Sequence, residues 1–143
     1  MIKTESSIEI QKPIDEVYKI AESYPRFVSF FHKREVVEST DRSLSVRVGM
    51  KRFGVNFEWE GEGQKEPARA IRFTQTKGLL KGMKANWFFD SEDNKKTKVS
   101  IKTSFEFKIP AIGFILEKSF STFLVERTTQ KILNELKKSS ESG

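Results

Sequence analysis

Residues 99–136 read VSIKTSFEFKIPAIGFILEKSFSTFLVERTTQKILNEL, and the apolar spacing changes once within that stretch. Up to Phe107 it has a period of two: Val99, Ile101, Thr103, Phe105 and Phe107 alternate with Ser100, Lys102, Ser104 and Glu106, as in a strand with one buried face. Beyond Pro110 the apolar residues fall three and four apart, through Ile112, Leu116, Phe120, Phe123 and Leu124 to Ile132, Leu133 and Leu136. That is the stripe of a long amphipathic helix running to about Lys138. A one-faced strand followed by a one-striped helix predicts that the helix covers a sheet.

Upstream, the period of two dominates from Glu35 onward. Leu44, Val46, Val48 and Met50 form one alternating set, and Val55, Phe57 and Trp59 a second; Ile71 with Phe73, and Ala85 with Trp87 and Phe89, continue the series. Each has a polar opposite face, as an antiparallel sheet covered on one side requires. Gly61 and Gly63 mark a bend or bulge. Near the N-terminus, Ser6, Ile8 and Ile10 alternate in a first strand. Pro13, Asp15 and Glu16 then open a short helix carrying Ile14, Val17, Tyr18 and Ala21. After Pro25, the spacing of Phe27, Phe30 and Phe31 predicts a second short helix. The expected architecture is α+β: a curved antiparallel sheet of about seven strands wrapped around a long C-terminal helix, with two short helices after strand one. Residues 1–138 form one domain in this reading, and 139–143, SSESG, a frayed tail.

Composition narrows the chemistry. The chain has 143 residues, no cysteine, one histidine and 13 phenylalanines. Without a cysteine thiol there is no disulfide scaffold, thiolate metal site or Cys nucleophile. No apolar run approaches the roughly 20 residues that span a bilayer, and Met1–Glu5 lacks a signal-peptide core, so a cytoplasmic protein is expected. The net charge of +6 is uneven: residues 1–71 hold 12 basic and 12 acidic side chains, residues 72–143 hold 14 and 8. Such a surplus is a solvated face or a patch for anionic lipid, phosphate or nucleic acid.

Catalytic patterns are sparse. His32 stands alone, so no multi-histidine metal site exists, and it has no nucleophile motif beside it. Glu58, Glu60 and Glu62 share the solvent face of a strand rather than a cation cage. Lys77-Gly78 and Lys81-Gly82 lack the phosphate-loop spacing. For acid–base work only His32, Glu126 and Arg127 offer themselves, all at positions that read as exposed. No metal and no cofactor is expected. Aromatic residues on the inward face remain, and periodicity leaves open whether they fill a core or line a cavity.

The order of elements resembles the helix-grip fold shared by START lipid-transfer domains and birch-pollen-allergen-like proteins. Within it, the run Ile8 to Tyr18, IEIQKPIDEVY, and the following Tyr24-Pro25-Arg26-Phe27 are similar to the opening of the polyketide cyclase/dehydrase and coenzyme Q-binding protein group. Gly78 to Met83, Trp87-Phe88-Phe89 and Phe105 to Lys108 extend the likeness over almost the whole chain. The resemblance implies a hydrophobic small molecule, such as a lipid, quinone or polyketide, held between sheet and C-terminal helix. It also leaves two alternatives: a cyclase/dehydrase-type enzyme, and a ribosome- or protein-binding module on the same scaffold.

The expected lining is Phe57, Trp59, Phe73, Trp87, Phe89 and Phe105 from the sheet, with Leu116, Phe120 and Phe123 from the helix. Gln75 and Thr103, on the inward parity, would supply hydrogen bonds to a carbonyl. Lys77, Leu79, Leu80, Lys81, Met83 and Lys84 break the alternation with apolar and basic residues between two glycines, and are expected to form a mobile gate touching anionic membrane.

Overall fold

The computed structural model describes residues 1–52, 54–78, 80–106 and 118–142, with side chains in the last segment from 122 onward. Seven strands form one antiparallel sheet: β1 (Ile2–Ile10), β2 (Lys33–Ser39), β3 (Ser43–Arg52), β4 (Val55–Glu66), β5 (Ala70–Lys77), β6 (Lys84–Asp93) and β7 (Lys96–Phe105). Their order across the sheet is β1-β7-β6-β5-β4-β3-β2. The chain enters at one edge, crosses to the other through α1 (Ile14–Ala21), and meanders back until β7 pairs with β1. α2 (Lys118–Glu141) then packs against β1 and α1.

Register decides which side chains meet. Leu44, Gly63, Phe73, Ala85, Thr103 and Thr4 are successive cross-strand partners from β3 to β1, a single inward row over six strands. Beside it run Ile71, Trp87, Ile101 and Ser6. Pairing shifts between Glu60 and Gly61, between Val36 and Glu38, and between Ser91 and Asp93; such irregularities bend a strand and increase its twist. At Gly63 the ring of Phe73 occupies the space of a side chain, since a Cβ there would lie 2.8 Å from Phe73 Cε1.

The acidic first turn of α1, Asp15 and Glu16, suits the positive end of the helix, and Val17, Tyr18 and Ala21 are its buried stripe. The expected second short helix is instead a succession of turns. Tyr24, Arg26, Val28 and Phe31 each donate a backbone N–H to the residue three before. Pro25 has no N–H to extend a helical ladder, so the phenylalanine spacing is met by turns. Ser29 donates to the Glu135 carboxylate, tying this segment to α2.

The C-terminal end also departs from expectation. The residues expected to fray, from Ser139, continue α2 to Glu141, and Ser140 is buried. The cause is a carboxylate clamp: Glu141 Oε2 accepts from the Gln11 N–H at 2.8 Å and from Lys137 Nζ at 2.8 Å, while Lys137 also donates to the Glu9 carbonyl at 2.9 Å. The Gln11 N–H, then Lys137, hold the Glu141 carboxyl below its ordinary value of 4.5. Its ionised form therefore stabilises the fold above the ordinary carboxylate range, and that contribution disappears as pH falls through the folded value. Glu141→Gln is expected to lower Tm modestly at pH 7, with the gap to the wild type closing in acid below pH 4.5; thermal unfolding across a pH series checks this. Gly63→Ala should cost about 1–3 kcal/mol by forcing the Phe73 ring aside, and Phe73→Leu in the same chain should recover part of the loss in urea unfolding.

Candidate functional site

Between the inward face of β3–β7 and the first half of α2 lies a cavity of about 530 Å³. Its walls follow the strand parity. β4 contributes Phe57 and Trp59, β5 Phe73 and Gln75, β6 Ala85 and Trp87, and β7 Ile101 and Thr103. Leu124, Val125, Thr128, Thr129 and Ile132 of α2 face them. Gly61 leaves the middle of β4 bare, and without a side chain there the space stays open.

One wall is a ring cluster. Tyr24 stands 5.3 Å from both Phe73 and Trp87, centroid to centroid; Phe73 and Trp87 are 5.9 Å apart, and Phe31 meets Trp59 edge-on at 5.6 Å. These separations suit edge-to-face packing, which makes the wall stiff. Sequence periodicity gave no signal for Tyr24, because its segment has neither a strand nor a helix period. It could be found only through its place beside Pro25 in the family-like run.

The polar groups are few. Glu58 borders the cavity, but its carboxylate pairs with Lys33 at 3.5 Å on the other face of the strand. Burial pushes the Tyr24 phenol up, so it stays protonated at neutral pH. Thr129 donates its hydroxyl to the Val125 carbonyl at 2.6 Å. Thr103 differs: it is 3% exposed, and its Oγ1 has no hydrogen-bond partner among the described residues. Gln75 is also buried, and its backbone is engaged with Met83 and Gly82. His32, Glu126 and Arg127 are all exposed and border no part of the cavity. The His32 ring lies over Gly49, where a Cβ would come within 3.0 Å of its Nε2.

Three expected lining residues lie elsewhere. Phe89 is on the inward face but further along β6, edge-on to Tyr18 at 5.2 Å. Phe105 is buried opposite Ile2, beyond the end of the cavity. Parity assigns a face but not a height along the strand, which is why both were placed with the others. Phe123 is 48% exposed with the Arg127 guanidinium over its ring; a step of about 100° along the helix separates it from the cavity-lining Leu124. Leu116 and Leu79 fall outside the described residues, as does the side chain of Phe120.

In the segment between β5 and β6, Leu80 and Met83 border the cavity, whereas Lys77, Lys81 and Lys84 are exposed. Backbone bonds close it tightly: Gln75 N–H to the Met83 carbonyl at 2.8 Å, Gly82 N–H to the Gln75 carbonyl at 2.8 Å, and Met83 N–H to the Leu80 carbonyl at 2.9 Å. The two glycines differ. Gly78, at φ 118°, is wedged so that a Cβ would lie 2.8 Å from Trp59 Cβ; Gly82, at φ 91°, faces open space. Close approach, rather than freedom to swing, is what requires Gly78.

Residues 10–133 match the family described as polyketide cyclase/dehydrase and lipid transport. No curated protein matches the chain. Among solved structures it is similar to TTHA0849 from Thermus thermophilus, at TM-score 0.85 and 20% identity over 99% of this chain and 98% of that one. It is also similar to the Zhui aromatase/cyclase from Streptomyces sp. R1128, at TM-score 0.84 and 18% identity over 98% and 93%. A START superfamily protein from Mycobacterium smegmatis follows at TM-score 0.75 and 14% identity, over 98% and 97%. These likenesses establish a shared helix-grip fold, and the family match covers most of the sequence: the chain belongs to the polyketide cyclase/dehydrase and lipid transport family.

Proposed function

We propose that the cavity binds an uncharged, mostly hydrophobic small molecule, of the lipid, quinone or polyketide kind, and carries it without chemical change. The observation that carries this reading is the unpaired, buried Thr103 hydroxyl in a wall built mostly from aromatic and aliphatic groups. An unsatisfied buried hydroxyl costs about 1–3 kcal/mol, and a ligand carbonyl or hydroxyl reaching it would recover that loss. Gln75, two strands away on β5 of the same sheet, offers a second hydrogen bond. The exposed positions of His32, Glu126 and Arg127 favour carriage over a cyclase reaction, which needs an acid or base at the substrate.

The test is native mass spectrometry of gently purified protein with a solvent extract of the same sample. A bound apolar molecule that extraction removes is expected; a polar or charged molecule as the bound species would overturn the reading. Thr103→Val, nearly the same shape without the hydroxyl, should stabilise the empty protein by about 1 kcal/mol in urea unfolding and weaken the recovered ligand's binding. Equal affinity in both proteins would remove Thr103 from the site.

The segment Lys77–Lys84 we propose as the contact through which the ligand is collected from an anionic bilayer. Leu80 and Met83 border the cavity while Lys77, Lys81 and Lys84 face outward, and lysines near such a surface contribute about 1 kcal/mol each. Wild type is expected to co-sediment with phosphatidylserine vesicles at low salt and to be released at high salt. Leu80→Ser/Met83→Ser should partition several-fold less; unchanged partition would show that the segment is not the contact.

A further inference from the structure

At the far end of β4 from the cavity, beyond Gly61, a second cleft of about 1180 Å³ opens to solvent. Its walls are α1, the turn between β2 and β3, and the turn between β4 and β5, with Tyr18 and Lys65 set into it. Lys65 is 4% exposed at its side chain and donates to the Thr40 carbonyl at 2.8 Å, Ser39 Oγ at 3.0 Å and Glu22 Oε2 at 3.4 Å. Its three donors are used, and it both neutralises Glu22 and ties the β2–β3 turn to α1. The Glu66 carboxylate is taken by Arg72 at 2.7 Å.

Pairing therefore leaves the cleft cationic. Arg26, Arg42, Arg69 and Lys19 line it, and none of their side chains has an ion pair or hydrogen bond among the described residues, while Asp41 is the one acid there without a cationic partner. A further group lacks a partner among the described residues: the Tyr18 hydroxyl, in a residue 7% exposed and lining the same cleft. Burial, and then the charges of Glu22 and Glu66, push this phenol up to about 12, so at neutral pH it is a fixed donor. A cleft lined by three unpaired guanidiniums, with a buried donor lacking an acceptor in its wall, suits oxygen atoms bearing negative charge.

We propose that this cleft binds an anionic small molecule through a phosphate or carboxylate group, held by Arg26, Arg42 and Arg69 with the Tyr18 hydroxyl donating to one of its oxygens. The site is separate from the apolar cavity. Gly61 lines the cavity and Lys65 the cleft on one strand, and Tyr24 lines the cavity while Ser23 lines the cleft, so a single partition divides the two.

The full chain, 15N-labelled, would be titrated in parallel with pyrophosphate and with citrate at physiological salt. Saturable binding is expected, with arginine side-chain and Tyr18 ring signals moving together; tighter binding of pyrophosphate assigns a phosphate ligand, and tighter binding of citrate a carboxylate. Arg42→Gln/Arg69→Gln should weaken binding at least about tenfold, the scale of one lost charge-assisted hydrogen bond, and Tyr18→Phe by several-fold. Lys98→Gln/Lys102→Gln removes the same charge from the other face of the sheet and should change little. Shifts that grow without saturating, or an equal loss in the lysine variant, would reduce the effect to general attraction by the basic surplus and overturn the proposal.

Discussion

A single helix is too narrow for the sheet it has to cover. Seven strands at about 4.8 Å spacing make a sheet roughly 29 Å wide, whereas a helix with its side chains is about 10–12 Å across. The rest of the molecule answers that mismatch. Irregular pairing at Glu60/Gly61 bends β4, and the turn segment with Tyr24, Val28 and Phe31 covers inward surface that α2 does not reach. Where neither element reaches, the space left is the cavity. It is a consequence of covering a wide concave face with two narrow elements.

The division between what could and could not be read in the sequence has the same origin. Alternation marks a face, so the strands and the inward direction of Phe57, Trp59, Phe73, Trp87 and Thr103 were legible. Depth along a strand is fixed by register with distant partners, and local spacing carries no record of it; hence Phe89 and Phe105, on the correct face, stand outside the cavity. Tyr24 belongs to no period at all. The end of α2 looks frayed in composition, yet its last turn is held by Glu141 reaching a backbone N–H 130 positions away.

Charge shows the same limit. By composition the surplus lies in the second half of the chain, while the first half balances. The unpaired guanidiniums nevertheless gather in the first half, because Glu22 and Glu66 are taken by Lys65 and Arg72. Pairing, rather than count, sets the local field, and pairing depends on which turns the fold brings together. Thr103 makes a related point: its cross-strand partner Thr4 is likewise buried without a hydrogen bond, so two adjacent inward hydroxyls are retained where valines would fit a sheet interior at lower cost.

The clamp at Glu141 gives α2 a fixed root. Its C-terminal half is fixed to β1 through Lys137 and Glu141, and Leu133 and Leu136 are fully buried; its other half, with Leu124 and Val125, forms the cavity roof. Leu124 and Leu136 are separated by about 18 Å of helix, so a tilt of about 5° about the fixed end lifts the roof by roughly 1.6 Å. Displacement is greatest at the roof and smallest at the clamp. Small rotations about the clamp would change the height of the cavity while every bond at its root stays made.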